Sequence, residues 1–328
     1  MRARTAISAR TVVLLAAALL LASSREASAQ LKGHYIPGFT GIEDGTQPPP
    51  SISLALPIYV YPTDTIKNDE GNTIPGSPSI TASFFGLGLA WVSNVQFLGA
   101  NLGAQITPVA FMKSRIESAS LEVPGSFEFT DIYIQPLWLG WHCGRADFSL
   151  GWGFFAPTGK WELGGDGNSG LGMWSNDFQA GTTVHLDDAH AWTTSLLATY
   201  EIHSQKKDTD FKVGDILTLE GGTGRAFYKQ VAGTPIPQIM TVGVVYYAQF
   251  KVTADTGSGP LANQLLAGRK DRVFGVGVEG SIYLPKPRLL VDLRVVPEFG
   301  ARNRTQGFTF LISLAWQAKS LEKAPAQP

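Results

Sequence analysis

Thr241-Val242-Gly243-Val244-Val245-Tyr246-Tyr247-Ala248-Gln249-Phe250-Lys251-Val252 decides the fold. Val242, Val244, Tyr246, Ala248, Phe250 and Val252 fall on one side of an extended chain, opposite Thr241, Gly243, Tyr247, Gln249 and Lys251. Alternation at period two is the mark of a strand with two different faces. The pattern recurs outward from this stretch, in Ser51–Tyr61, Asp147–Ala156, Val273–Leu284, Leu289–Glu298 and Gly307–Trp316. These segments are about twice the usual strand length of 5–6 residues. Their second face carries Gly, Ser, Thr and isolated charges, where a soluble sandwich would be densely charged. A membrane-crossing strand needs about 9–11 residues, apolar toward lipid and polar toward a lumen. The expected fold is therefore all-β, an antiparallel transmembrane β-barrel of about twelve strands, with a soluble periplasmic sandwich as the competing reading.

Composition agrees. Of 328 residues, 26 are Lys or Arg and 27 Asp or Glu, so 16% are charged, against about 25% in soluble domains. The mean hydropathy is only +0.04, and the longest uninterrupted apolar stretch, Val12–Ala22, is too short for a membrane-spanning helix. An aromatic content of 11% argues against disorder. The near balance of charge leaves no basic footprint for nucleic acid, and the lone Cys143 cannot close an intramolecular disulfide.

Residues 1–29 read as a secretory signal peptide: Arg2, Arg4 and Arg10, then the apolar centre, then Ala27-Ser28-Ala29 as cleavage site. Residues 30–50 do not alternate and hold Gly33, Pro37, Gly38, Gly41, Gly45 and Pro48-Pro49-Pro50. They are read as either a flexible lead or a plug in the barrel mouth. The barrel is assigned to residues 51–317 and a polar tail to 318–328. Links alternate in length. Short ones lie near Ser93–Asn94, His142–Arg145, Asp187–His190, Lys229–Pro237 and Pro285–Arg288; longer ones include Pro62–Pro78, Pro157–Gly172, Ser204–Gly214 and Ala254–Lys270. Bacterial barrels place short turns in the periplasm and long loops outside. Aromatics from Tyr59 and Tyr61 through Trp91, Trp152, Trp174 and Trp192 to Trp316 are expected as interfacial girdles.

Phasing the strands points Asp147, Glu201, His203, Glu220, Tyr247, Gln249, Lys251, Glu279, Asp292, Arg294 and Glu298 into the lumen. They would form either a polar constriction along a solute path or ion-paired interior filling. The five histidines (34, 142, 185, 190 and 203) show no two-His metal spacing on a common face, apart from His185 and His190 flanking one turn. No metal, cofactor or catalytic residue is expected. There is no Gly-x-Ser-x-Gly elbow, and Gly164–Gly170 lacks the Lys-Ser/Thr ending of a phosphate loop.

Several strings resemble an outer-membrane family associated with the meta-cleavage pathway of phenol degradation. They are Asp131-Ile132-Tyr133-Ile134-Gln135-Pro136-Leu137-Trp138, Ala156-Pro157-Thr158-Gly159, and Gly170-Leu171-Gly172-Met173-Trp174-Ser175-Asn176-Asp177-Phe178-Gln179. Tyr200-Glu201-Ile202-His203-Ser204, Gly214-Asp215 and Leu219-Glu220-Gly221-Gly222 continue it. The resemblance runs from about Gly33 to Trp316. It implies a barrel exported to the outer membrane for passive uptake of small apolar or aromatic compounds, and it brings no catalytic residues. The expected partners are outer-membrane lipid, the assembly machinery and such solutes. A structural or adhesive barrel with a plugged lumen is the alternative, and a lipid-acting enzyme the third.

Overall fold

The computed structural model describes residues 32–118, 122–163, 168–258 and 270–322. The stretch expected to be a signal peptide, residues 164–167 of one long loop, the middle of the 254–270 loop and the end of the tail lie outside the described residues.

Twelve long strands follow one another along the chain: β1 (Ser51–Thr63), β2 (Ser79–Phe97), β3 (Ala100–Glu117), β4 (Ile132–Cys143), β5 (Ala146–Ala156) and β6 (Ser175–His185) come first. β7 (Trp192–His203), β8 (Ile216–Lys229), β9 (Gln238–Lys251), β10 (Arg272–Leu284), β11 (Leu289–Arg302) and β12 (Phe308–Ser320) complete the set. Each pairs antiparallel with its sequence neighbours, and β12 pairs back onto β1 with Leu56 opposite Leu314 and Ile58 opposite Ile312. That last pairing closes the sheet and removes the free edges an open sheet would leave. No helix among the described residues is long and apolar enough to cross a membrane.

The two faces separate as the alternation requires. On β9, Val242 is 51% exposed while Tyr247 is 3% exposed. Val276 and Val278 on β10, Leu293 and Val295 on β11, and Phe308, Phe310 and Ile312 on β12 also point outward. A monomer in water does not show a continuous apolar belt of this size; around a closed barrel it is the surface that meets hydrocarbon.

Two expectations need correction. The β2–β3 turn is at Leu98–Gly99, several residues beyond Ser93–Asn94, because β2 runs on through Phe97. Tyr59 and Tyr61 are buried inside the barrel, not in a girdle. They share the inward phase of Ser51 and Thr63, while Ile52, Leu56 and Ile58 take the lipid side. Short pairings such as Ile66–Lys67 with Arg304–Thr305 extend the wall at the long-loop end.

Candidate functional site

Residues 32–50 lie inside the barrel and run along its length. At the long-loop end the amides of His34 and Tyr35 donate to Glu201 Oε1 at 2.9 and 3.0 Å. Midway, the Tyr35 and Thr40 hydroxyls donate to Glu220, whose Oε2 also takes the Gly38 amide at 2.8 Å. The Ile42 amide reaches Glu279 Oε2 at 3.0 Å. Toward the short-turn end, Gly45 N donates to Thr183 Oγ1 at 3.1 Å, Thr46 Oγ1 to Asp147 Oδ2 at 2.9 Å, and Gln47 Nε2 to the Trp138 carbonyl at 2.9 Å. The chain then turns at Pro48-Pro49-Pro50 into β1.

Its composition now has a physical reason. A Cβ on Gly41 would sit 1.7 Å from Glu279 Oε2, and one on Gly45 2.1 Å from the Thr182 backbone. Only a residue without a side chain lets the segment come this close to the Glu279 carboxylate and to the Thr182 backbone. Where the segment does carry bulk, the wall gives way: Ile42 fits against Gly222, Gly224 and Gly243.

All eleven lumen residues picked by strand phasing are buried in the interior. The structure joins some of them. Arg294 pairs with Glu279 at 2.7 Å and Asp292 at 3.0 Å, and its Nη1 donates to the Phe39 carbonyl at 2.6 Å. Tyr247 donates to Glu298 Oε1 at 2.9 Å, and Tyr61 donates to Glu298 Oε2. Gln249 donates to Thr218 at 3.0 Å and accepts from Arg304 at 2.7 Å. Lys251 pairs with Asp255 at 2.9 Å and Asp271 at 3.3 Å. Asp147 stands apart near the short turns, with His142 at 3.0 Å. Buried charges in a low-dielectric interior are tolerated when paired and hydrogen-bonded in this way.

Phasing missed the residues that come from the segment itself, and also Asp131, Ser175, Asp177 and Arg304. Asp177 alternates with Phe178 and could have been found on β6. His34 could not, because its partners Asp131 and Ser175 are 97 and 141 residues away.

The lumen has two characters. The wall from β6 to β11 carries most of the charged groups, together with a smaller apolar cluster of Val245, Tyr247, Val273, Val296 and Ala301 against Ile42. Against β1, β2 and β12 lies an apolar seam of Tyr59, Tyr61 and Leu311, onto which Ile36, Phe39 and Phe84 pack. Phe39 meets Phe84 edge-on at 6.2 Å. Polar ties border the seam as well: the Phe39 carbonyl accepts from Arg294 and the Tyr61 hydroxyl donates to Glu298.

Ser175, His34 and Asp131 form a chain of hydrogen bonds, Oγ to Nδ1 at 2.6 Å and Nε2 to Oδ2 at 2.8 Å. The ring nitrogens are exchanged relative to a hydrolytic triad, where the serine sits on Nε2 and the carboxylate on Nδ1. Ser175 is wholly buried, and its hydroxyl is shared with His203 Nδ1 at 2.7 Å.

The profile of the family described as "Putative MetA-pathway of phenol degradation" matches residues 63–314. The chain belongs to this family. None of the curated proteins compared matches the sequence. Among solved structures, the barrel is similar to the COG4313 outer membrane channel from Pseudomonas putida F1, at 13% identity and a TM-score of 0.67, over 86% of this chain and 99% of that one. Two weaker likenesses carry no argument. They are the β domain of the Bordetella autotransporter BrkA (9% identity, TM-score 0.46, 81% and 99% covered) and the outer membrane channel DcaP of Acinetobacter baumannii (10%, 0.32, 81% and 95%). The family member described here is thus a closed twelve-strand barrel of the outer-membrane channel type.

Proposed function

We propose that this barrel is an outer-membrane channel for passive uptake of small apolar or aromatic molecules, working without a cofactor. The observation that carries the reading is the seam of Tyr59, Tyr61, Leu311, Phe84 and the segment's own Ile36 and Phe39. Sites for small apolar ligands are mostly hydrophobic and aromatic with a few fixed polar groups, and Glu298 beside Tyr61 supplies one. A strap one chain thick runs through the lumen, which speaks against a wide aqueous bore and for a slim path along the seam, opened by a shift of Ile36 and Phe39. Family membership supports aromatic compounds as the solutes, and the channel-type fold supports diffusion.

The test is uptake of labelled phenol by cells lacking the protein, with growth on limiting aromatic substrates measured beside it. Slower uptake and growth are expected, restored by the wild-type gene. Unchanged uptake across apolar substrates overturns the reading. A Glu201→Ala, Glu279→Ala double variant then asks whether the polar wall takes part or only fills space.

One observation favours a second reading, a structural barrel acting through its loops: the segment is tied to the wall at Glu201, Glu220, Glu279, Asp147 and the Trp138 carbonyl along its whole length. Purified protein in liposomes separates the two, since a structural barrel leaves phenol flux at the level of protein-free vesicles.

A further inference from the structure

The top of the lumen holds a cluster that the transport reading leaves unused. His34, Glu201 and His203 each bring one ligand atom within 4.8 Å of the others. Two of those side chains end in a buried polar atom with no partner. Glu201 has its Oε1 filled by the His34 and Tyr35 amides, while Oε2 accepts nothing. His203 uses Nδ1 on Ser175 Oγ, while Nε2 meets no donor or acceptor. Glu201 is 0% and His203 3% exposed, so water does not reach these atoms from outside the fold. A buried unsatisfied polar atom costs about 1–3 kcal/mol, more when charged, and here both belong to side chains of the one three-residue cluster.

His34 is built as a ligand is. Its Nε2 lies 2.8 Å from Asp131 Oδ2, and that carboxylate is itself fixed by the Gly159 amide at 2.8 Å and the Leu171 amide at 2.7 Å. The ring stacks on Phe155 with centroids 4.7 Å apart. A carboxylate on the far nitrogen sets the tautomer and raises the basicity of the other nitrogen, the usual outer support of a metal-bound imidazole. Nδ1 is then the nitrogen left for binding, at present facing Ser175 Oγ at 2.6 Å.

We propose that His34, Glu201 and His203 bind a borderline divalent cation of the Zn²⁺ class, clipping the lumen segment to β7. Two imidazoles and one carboxylate are a recognised zinc set, with bonds of about 2.0–2.2 Å and a fourth position left for water. Such bonds bring ligand atoms to roughly 3.4 Å from one another, so the ligand atoms close on one another by up to about 1.4 Å from their present separations, and Ser175 gives up one of its two imidazole contacts. Hard cations are disfavoured, since Mg²⁺ and Ca²⁺ take oxygen sets. Sequence spacing could not show this site: the two histidines are 169 positions apart and meet only because the N-terminal segment threads the barrel.

The experiment titrates Zn²⁺ into the purified full mature chain in detergent against a chromophoric chelator, and repeats it with Co²⁺ to read the visible band of a low-coordinate centre. One ion per chain is expected, with affinity falling at least tenfold in each of His34→Ala, Glu201→Gln and His203→Gln. His34 lies outside the strands, so His34→Ala leaves the barrel able to fold, and heat-modifiable gel mobility confirms it for every variant. His185→Ala serves as the comparison, because His185 and His190 stack at 4.0 Å near a short turn. Wild-type affinity equal to that of His34→Ala, or binding lost in His185→Ala and kept in His34→Ala, overturns the proposal.

Discussion

The Ile42 amide and Arg294 Nε bind the same oxygen, Glu279 Oε2, at 3.0 and 2.7 Å. One carboxylate thus ties the lumen segment to an ion pair between β10 and β11. Removing it leaves Arg294 buried with Asp292 and the Phe39 carbonyl as its remaining partners. Breaking one member of a buried pair costs about 3–5 kcal/mol, whereas replacing the set by apolar groups of similar volume is often close to neutral. Glu279→Gln is therefore expected to lower the urea midpoint in detergent markedly, and a Glu279→Leu, Arg294→Met, Asp292→Leu triple variant to recover most of the loss. A triple variant less stable than Glu279→Gln would show that the triad is more than compensated filling.

Close approach at Gly45 gives a cleaner probe of the segment. A side chain there meets the Thr182 backbone, which cannot yield without breaking the β6–β7 ladder. Gly45→Val is expected to leave the barrel folded and heat-modifiable while the segment is displaced, raising small-solute flux in liposomes several-fold. Gly280→Ala on β10 is the comparison, since an added Cβ there meets nothing within 4 Å. Equal flux in both variants would mean that the segment does not limit passage.

How much of this was legible in the sequence follows from what a strand records. Side-chain period two is local, so Val242 against Tyr247 and Leu293 against Asp292 announced their faces, and every lumen residue named from phasing is inside. The link lengths announced the two ends. What residues 30–50 touch is not local information. Glycines at 33, 38, 41 and 45 were visible, but a glycine admits a turn, a flexible lead and a tight passage alike. Only the positions of Glu279 and Thr182 in space select the last. The same holds for Tyr59 and Tyr61: aromatic character suggested a membrane interface, while their phase, shared with Ser51 and Thr63, placed them in the lumen.

The seam makes a graded prediction. Phe39 packs on Phe84 and lies beside Tyr59 and Tyr61. Phe39→Ala is expected to increase phenol flux and Phe39→Trp to decrease it, with flux of a charged solute of equal size changing less. The opposite order would place the path elsewhere in the lumen.

Lys206, in the loop after β7, carries a pH signature. Burial, with its Nζ on the Leu171 carbonyl at 2.6 Å and over the Trp161 ring at 5.5 Å, pulls its amine down to about 8 from 10.5. The folded chain therefore releases the proton before the unfolded chain does. Between about pH 8 and 10.5 the unfolded state holds more protons, and stability rises with pH. Hydrogen exchange of residues 204–215, corrected for its intrinsic pH dependence, is expected to show stronger protection at pH 9.5 than at pH 7.5. The difference should vanish in Lys206→Met. Protection that falls over this range in the wild type contradicts the burial argument.

The lipid-facing belt is tested at Val278, 60% exposed in the middle of β10 and flanked by Val244 on β9 and Val295 on β11. On the surface of a soluble protein, Val278→Arg would change stability by no more than about 0.5 kcal/mol. Facing the midplane of a bilayer, the same charge costs about 2–4 kcal/mol. Folding titrations into phospholipid vesicles are expected to show the larger loss at Val278 and a much smaller one for Ile236→Arg, which is exposed in the short turn before β9. The comparison is made within one protein and one lipid, so differences in the denatured state largely cancel. Equal, small losses at both positions would take the belt out of the membrane and return the chain to the soluble sandwich that its alternation argued against.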